Sequence, residues 1–173
     1  LSLVGSEMCI RDRIEHGLGA AALQPRVGAR AELQLEQLRG AQRELGLHCG
    51  AFDINAACSG FVYGLVVAHG LIGMGARRAL VIGTDTLSRI TDWDDRNTAV
   101  LFADGSGAVV LEACEGPGQM LGWHLDADGE AQRLLYADIG GYIHMDGKEV
   151  FRRAVRIMVD SATKSLDNAG LTA

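Results

Sequence analysis

Several features are scarce in this 173-residue sequence, and each scarcity excludes a class of protein. Aromatic residues make up only 5% of the chain, which argues against an aromatic-lined binding groove. Positive charge is also in deficit, because the net charge is −6. No basic stretch carries interleaved aromatic residues either, so we expect no nucleic-acid partner.

Cysteine is sparse and irregularly spaced. The four cysteines, Cys9, Cys49, Cys58 and Cys114, fit neither paired zinc-ligand spacing nor a dense disulfide framework. We therefore expect no metal site, and a reducing cytoplasm as the location of the protein.

Long apolar runs are also missing. The longest, residues 61–76, is shorter than the ~18 residues that span a bilayer, and it ends at two arginines. The first residues have no extended apolar core of a secretory signal. We predict a buried helix at 61–76, no membrane span and no secretory signal.

Glycine and apolar residues are abundant. The 23 glycines and 48% apolar residues suit close packing of helices on a sheet and indicate one α/β domain or part of one. We predict a strand at 51–54, a helix from Ala57 to about Met74 and a strand at 78–84, and this order implies a parallel strand pair.

The remainder of the chain yields further predicted elements. Strands are expected at 98–102 and 108–113, joined by a tight turn at 103–107, and another strand at 122–126. Apolar residues at helical spacing predict a helix over 149–169, which Gly170 ends. Composition also favours a helix at 31–45.

Cys58 lies where the predicted strand at 51–54 gives way to the helix. A helix N-terminus offers unpaired N–H groups and a positive dipole end, which favour thiolate over thiol. The alternative is a buried cysteine that acts as a small hydrophobic residue. Taken alone, this position favours the alternative.

Three segments in the same order change that balance. Residues 55–61 read Asn-Ala-Ala-Cys-Ser-Gly-Phe, residues 79–85 read Ala-Leu-Val-Ile-Gly-Thr-Asp, and residues 102–108 read Phe-Ala-Asp-Gly-Ser-Gly-Ala. Together they resemble β-ketoacyl-acyl carrier protein synthase III. The resemblance covers residues 42–173 and implies an incomplete thiolase-like fold, an α/β fold of layers αβαβα.

The resemblance also divides the chain. Residues 1–13 resemble adapter-derived extraneous sequence, and residues 14–41 diverge from the family. Residues 42–116 correspond to the nucleophile-bearing part of the N-terminal half. Residues 117–173 correspond to the start of the C-terminal half.

The resemblance implies roles for specific residues. Cys58 corresponds to the catalytic nucleophile, and Arg152 to a basic residue that meets the acidic carrier protein. The residues that correspond to the family's coenzyme A contacts are Arg96, Val100, Leu101, Met145, Gly147, Phe151 and Ala154. Without the resemblance, Arg96 is a loop residue paired with Asp94 or Asp95, and Phe151 a core residue. Lys148, Arg152 and Arg156 form a basic stripe that is either a solvated face or a docking surface for an acidic partner.

The implied reaction is the condensation of an acyl-CoA primer with malonyl-acyl carrier protein, which starts fatty acid synthesis. Acyl-CoA is then a substrate, no permanent cofactor is required, and the full-length protein is a homodimer. The family's catalytic histidine and asparagine motifs follow the helix at 149–169, beyond Ala173, so we expect the chain to be incompetent for full turnover. His48, His124 and His144 receive no role. Two alternatives are a related CoA-dependent condensing enzyme of polyketide or secondary metabolism and a non-catalytic truncated product or interaction module.

Overall fold

A computed structural model describes residues 7–11, 41–116 and 118–172. The described residues form two compact units. The first contains residues 7–11, 41–85 and 105–120 except 117, and the second contains residues 86–104 and 121–172. Within these ranges no helix is long and apolar enough to cross a membrane.

The first unit is built on a three-stranded sheet with strands β1 (Glu7–Arg11), β2 (Arg78–Thr86) and β3 (Asp104–Cys114). β3 lies in the middle and pairs with β1 in antiparallel register, with Glu7 opposite Cys114. β2 and β3 also run in opposite directions. Arg78 at the start of β2 forms an ion pair at 2.8 Å with Glu112 near the end of β3. Near the end of β2, the Thr84 hydroxyl lies 2.8 Å from the hydroxyl of Ser106 near the start of β3.

Helix α1 (Gly60–Gly73) packs on this sheet. A short 3-10 turn, Ala57–Ser59, precedes it, and Gly75 follows it with a φ of +107°, which suits glycine at a helix end. The fully buried cluster that joins the helix to the sheet consists of Ala68, Ile72, Ala79, Val81 and Leu111. The predicted helix and the predicted strand at 78–84 are thus confirmed, and the observed strand extends two residues further.

The second unit contains a hairpin of β4 (Leu135–Ala137) and β5 (Ile143–Met145), followed by helix α2 (Gly147–Asn168). A 3-10 turn, Gly129–Leu134, precedes β4, and the Asp128 carboxylate accepts N–H bonds at its start. α2 ends as predicted. Gly170 has a φ of +69°, its N–H bonds the Asp167 carbonyl, and the Leu171 N–H bonds the Leu166 carbonyl, which is a Schellman motif.

Several predicted elements are wrong. Residues 51–54 and 122–126 form no strand, so the predicted parallel pair is absent from the described residues. Residues 96–101 form turns instead of the predicted strand, because the Asp95 side chain bonds the Asn97 N–H and the Thr98 hydroxyl and so competes with strand formation. The predicted turn at 103–107 is also wrong, since residues 104–107 already belong to β3.

Three strands were not predicted. β4 and β5 are only three residues each, too short for an alternating pattern to stand out. β1 falls within residues 1–13, which we set aside as extraneous sequence without any element. That origin of residues 1–13 stays a prediction. Of the predicted helix at 31–45, residues 41–44 are helical and residues 31–40 lie outside the described residues.

Candidate active site

Cys58 lies in the turn that leads into α1, and its side chain is exposed. Exposure rules out the alternative of a buried, small hydrophobic cysteine. The turn is closed by two short contacts. The Ala57 N–H donates to the Asn55 side-chain oxygen at 3.1 Å, and the Ser59 N–H donates to the Ala56 carbonyl at 3.1 Å. These bonds fix the backbone on both sides of the thiol.

Ala57 carries a strained backbone directly before the cysteine. Its φ is +45°, and among the described residues it is the only one other than glycine with a positive φ. This left-handed conformation costs an L-residue roughly 1–2 kcal/mol. A sharp strained turn that presents a nucleophile at the start of a helix is a recurring device in acyl-transfer enzymes. The bond from Asn55 holds this conformation in place.

The start of α1 can stabilise negative charge beside the sulfur. The first N–H groups of a helix have no partner within the helix and lie at the positive end of its dipole. No acidic residue occupies the first turn of α1. Among the described residues, no acceptor is found for the Cys58 N–H either. The Ser59 and Gly60 N–H groups bond the Ala56 and Ala57 carbonyls, so the Cys58 N–H is the backbone donor available to an oxyanion that develops next to the Cys58 sulfur.

The predicted substrate residues all lie in the second unit. Arg96 is exposed in the turn at 96–101. The alternative role for it, an ion pair with Asp94 or Asp95, does not occur within the described ranges. The hydroxyl of Thr98 and the amide groups of Asn97 bond the Asp95 carboxylate instead and lower its pKa.

The apolar members of the predicted set are strongly exposed. The exposed fractions of Val100, Leu101 and Phe151 are 78%, 62% and 72%, so the alternative interpretation of Phe151 as a core residue is wrong. Gly147, Phe151 and Ala154 are spaced i, i+4, i+7 on α2 and hence share one face. Met145 precedes this face, and its terminal methyl lies 3.5 Å from where a Cβ on Gly147 would stand.

Arg152 belongs to a network of ion pairs on α2. Glu149 accepts two bonds from Arg152, at 3.0 and 2.7 Å, and one from Arg153 at 3.0 Å. These bonds lower the pKa of Glu149 to about 2. Arg153 also donates to Asp128 at 2.7 Å, which ties the start of the preceding 3-10 turn to the helix.

An open cleft of about 510 Å³ adjoins this network. Its lining is mostly charged and comprises Asp128, Arg152, Arg153, Arg156, Ile157 and Asp160. The basic stripe predicted from the sequence is therefore divided, because Arg152 and Arg156 line the cleft whereas Lys148 does not.

Two features of these sites were not predicted. The strained Ala57 has no signature in the sequence, although Asn55 two residues earlier is a residue type that forms such turns. Glu149 was also missed as the partner of Arg152. The pattern Asp146-x-x-Glu149 is the sequence sign of a capping box. Only half of that box forms, since Asp146 accepts the Glu149 N–H while the Glu149 side chain bonds the arginines.

His124 and His144 each contact a neighbouring side chain. His124 shares a hydrogen bond with the Ser161 hydroxyl at 3.0 Å, and the His144 ring lies 5.1 Å from the ring of Tyr136. In the part of the chain that the structure describes, no group of three or more His, Cys, Asp or Glu side chains is arranged to hold a metal ion.

Comparison with known proteins gives a consistent picture. A family model described as 3-oxoacyl-[acyl-carrier-protein (ACP)] synthase III matches residues 52–129. A β-ketoacyl-[acyl-carrier-protein] synthase III from Erythrobacter litoralis is 51% identical in an alignment of 145 residues that covers 76% of this chain and 45% of that protein. The chain thus spans about half the length of the relatives that it matches.

Solved structures agree in fold. The β-ketoacyl-[acyl carrier protein] synthase III of Thermus thermophilus matches with a TM-score of 0.83 and 33% identity over 90% of this chain and 52% of that one. The priming β-ketosynthase of the R1128 polyketide pathway matches with a TM-score of 0.78 and 30% identity, again over 90% of this chain and 50% of that one. The predicted thiolase-like α/β fold is confirmed by these matches.

Proposed function

We propose, because the chain belongs to the β-ketoacyl-acyl carrier protein synthase III family, that it carries the nucleophile of an acyltransferase. The proposed enzyme condenses an acyl-CoA primer with malonyl-acyl carrier protein at the start of fatty acid synthesis. The observation that carries the proposal is the exposed thiol of Cys58 on a strained turn at the start of α1.

The first half-reaction follows from this geometry. The Cys58 thiolate attacks the thioester carbonyl of acyl-CoA, and the carbonyl oxygen becomes an oxyanion that the Cys58 N–H stabilises, together with the positive end of the α1 dipole. Collapse of this intermediate breaks the bond to the sulfur of coenzyme A, which leaves as a thiolate. The acyl group then remains on Cys58 as a thioester.

The second half-reaction requires a carbanion. Decarboxylation of the malonyl group releases carbon dioxide and leaves a carbanion at the former methylene carbon, which attacks the Cys58 thioester and expels the cysteine thiolate. The 173 residues contain neither a Pro-His-Gln-Ala-Asn nor a Gly-Asn-Thr motif. We assign decarboxylation to no residue of this chain.

The substrate residues extend the proposal into the second unit. The flat guanidinium of Arg96 suits stacking on the adenine of coenzyme A. The exposed apolar side chains of Val100, Leu101 and Phe151 suit the pantetheine arm. Gly147, Met145 and Ala154 flank the same arm in this proposal. No permanent cofactor is needed.

Further parts of the proposal rest on the family. Arg152 meets the acidic carrier protein, and the full-length protein is a cytoplasmic homodimer. Residues 42–116 belong to the N-terminal half of the fold and residues 117–173 to the C-terminal half. Residues 1–13 are extraneous.

Acyl transfer to Cys58 can be tested directly. The chain is incubated with radiolabelled acetyl-CoA, and the labelled peptide is mapped. We expect a hydroxylamine-sensitive label on the peptide that contains Cys58. The label should be absent in Cys58→Ala and retained in Cys49→Ser, a matched control because Cys49 is less exposed. Folded protein that takes up no label, or label that persists in Cys58→Ala, would refute the proposal and favour a non-catalytic module.

A priming ketosynthase of polyketide synthesis is a second candidate. The match to the R1128 priming enzyme at 30% identity supports it. Both candidates use a cysteine acyl intermediate, so labelling alone does not separate them. Competition between acetyl-CoA and longer or branched acyl-CoA primers for Cys58 separates them by primer preference.

A further inference from the structure

The charges in the α2 cleft are not equally compensated. Arg153 lies between two carboxylates, Glu149 and Asp128, at 3.0 and 2.7 Å. Asp160 has its own cation, Lys164, at 2.7 Å. Arg156 lines the same cleft, but no ion pair or hydrogen bond of its guanidinium is formed among the described residues. Arg156 is therefore the arginine of this cleft whose charge is uncompensated there.

Arg152 is held by Glu149 but keeps N–H donors that make no hydrogen bond to it. Its Nε and one terminal nitrogen bond Glu149, and its side chain is 63% exposed. A guanidinium has five N–H donors, so N–H groups of Arg152 remain available to a second carboxylate. Because Glu149 already orders the Arg152 guanidinium, the side chain loses less conformational entropy when a partner binds it.

We propose that Arg156 is a second docking residue for the acidic carrier protein and binds a partner carboxylate in the cleft beside Arg152. This inference rests on the proposed function, which supplies the carrier protein as partner. Arg152 and Arg156 are one helical turn apart, about 6 Å along the axis. An acidic helix presents carboxylates at the same i, i+4 spacing, so two side chains of one helix can meet both arginines.

The cleft makes Arg156 a better docking residue than an isolated surface cation. A planar guanidinium binds a carboxylate through two parallel hydrogen bonds. Ile157 supplies an apolar wall next to it, and a partly enclosed ion pair is less screened by salt than an open one. Lys148 lies on the same helix and is exposed, but it does not line the cleft.

The test measures binding of fluorescently labelled malonyl-acyl carrier protein to the 173-residue chain by anisotropy, at several salt concentrations. For Arg156→Gln we expect Kd to rise about five- to tenfold at low salt, with a shallower salt dependence. Lys148→Gln removes the same charge from the same helix outside the cleft, and we expect a rise of about twofold or less. Arg156→Lys should keep the salt dependence but lose part of the affinity, because lysine keeps the positive charge and lacks the paired N–H donors that bind a carboxylate through two hydrogen bonds. Circular dichroism of each variant checks that α2 is intact.

The outcomes separate this inference from the proposed function. Equal effects of Arg156→Gln and Lys148→Gln would overturn the inference, as would no carrier binding by the unsubstituted chain. Labelling of Cys58 by acetyl-CoA needs no carrier protein. Normal labelling with unaltered carrier binding in Arg156→Gln refutes the docking role alone, whereas absent labelling refutes the proposed acyl transfer whatever Arg156 does.

Discussion

Gly122 lies where the segment after Met120 runs against the C-terminal turn of α2. A Cβ added there would collide with the Ser165 carbonyl oxygen and would lie 2.8 Å from the Ala169 nitrogen and 2.9 Å from the Ala169 Cβ. Two of these three neighbours are backbone atoms, which cannot rotate away. Gly122→Ala must therefore push the segment away from the helix.

The size of the effect follows from the required displacement. Relief of the closest contact requires the two backbones to separate by roughly 1 Å. The bond from the Asn168 side chain to the Trp123 carbonyl is now 2.9 Å, and such a displacement would break it. Overpacking plus the lost hydrogen bond should cost about 2–3 kcal/mol. For a unit of this size that is a loss of roughly 10–20 °C in Tm.

The measurement is thermal and urea unfolding, followed by circular dichroism and by Trp123 fluorescence in a Trp93→Phe background. Gly129→Ala is the matched control in the same unit. A Cβ on Gly129 meets no atom within 4 Å, and its φ is not positive, so alanine there should be neutral or stabilise by up to about 1 kcal/mol. Equal stability of Gly122→Ala and Gly129→Ala would refute the close packing of residues 121–123 on α2.

Two further predictions concern the turn at Cys58 and the network at Arg152. Ala57→Gly removes the strain of a left-handed alanine but also increases the conformational entropy of the unfolded chain, so the free energy of unfolding should change by less than about 0.5 kcal/mol. The control, Ala162→Gly on the exposed face of α2, should lower the free energy of unfolding by about 1 kcal/mol. A large loss of stability in Ala57→Gly, measured by urea unfolding, would contradict the strain at Ala57. The pKa of Glu149 is lowered to about 2 in the folded chain, so its contribution is present above its ordinary pKa and disappears as pH falls toward 2. The difference in Tm between the unsubstituted chain and Glu149→Gln should therefore shrink from pH 6 to pH 2, and a constant difference would show that the ion pairs add nothing.

The helices were predictable because their patterns need no knowledge of the partner. α2 carries apolar residues at helical spacing and a glycine stop, and its range was predicted to within about two residues at each end. α1 was predicted from an apolar run between glycines, and the observed helix begins three residues later because Ala57–Ser59 form a 3-10 turn. β2 was predicted as a compact apolar run.

The strands were predicted less well because a strand depends on its neighbour. The run at 51–54 is apolar enough for a strand, yet the structure leaves it irregular with Phe52 40% exposed. At 98–102 the apolar residues point to a strand, but the Asp95 side chain stabilises turns locally. Gly105 and Gly107 suggest a turn, although both lie within β3. The hydrophobic pattern of the sequence shows which residues are apolar, but it does not show which other segment of backbone will pair with them.

Exposure by itself does not identify a binding site on α2. Met158 and Val159 are 63% and 64% exposed, close to the 72% of Phe151. What separates Phe151 is its place on the face shared with Gly147 and Ala154, together with its proposed role as a coenzyme A contact. Cys58 rests on independent physical grounds, because its exposure, the strained residue before it and the helix start after it all favour a nucleophile. Labelling of Cys58 is therefore the first test of the function. The roles proposed for the substrate residues depend on the transfer of an acyl group to that thiol.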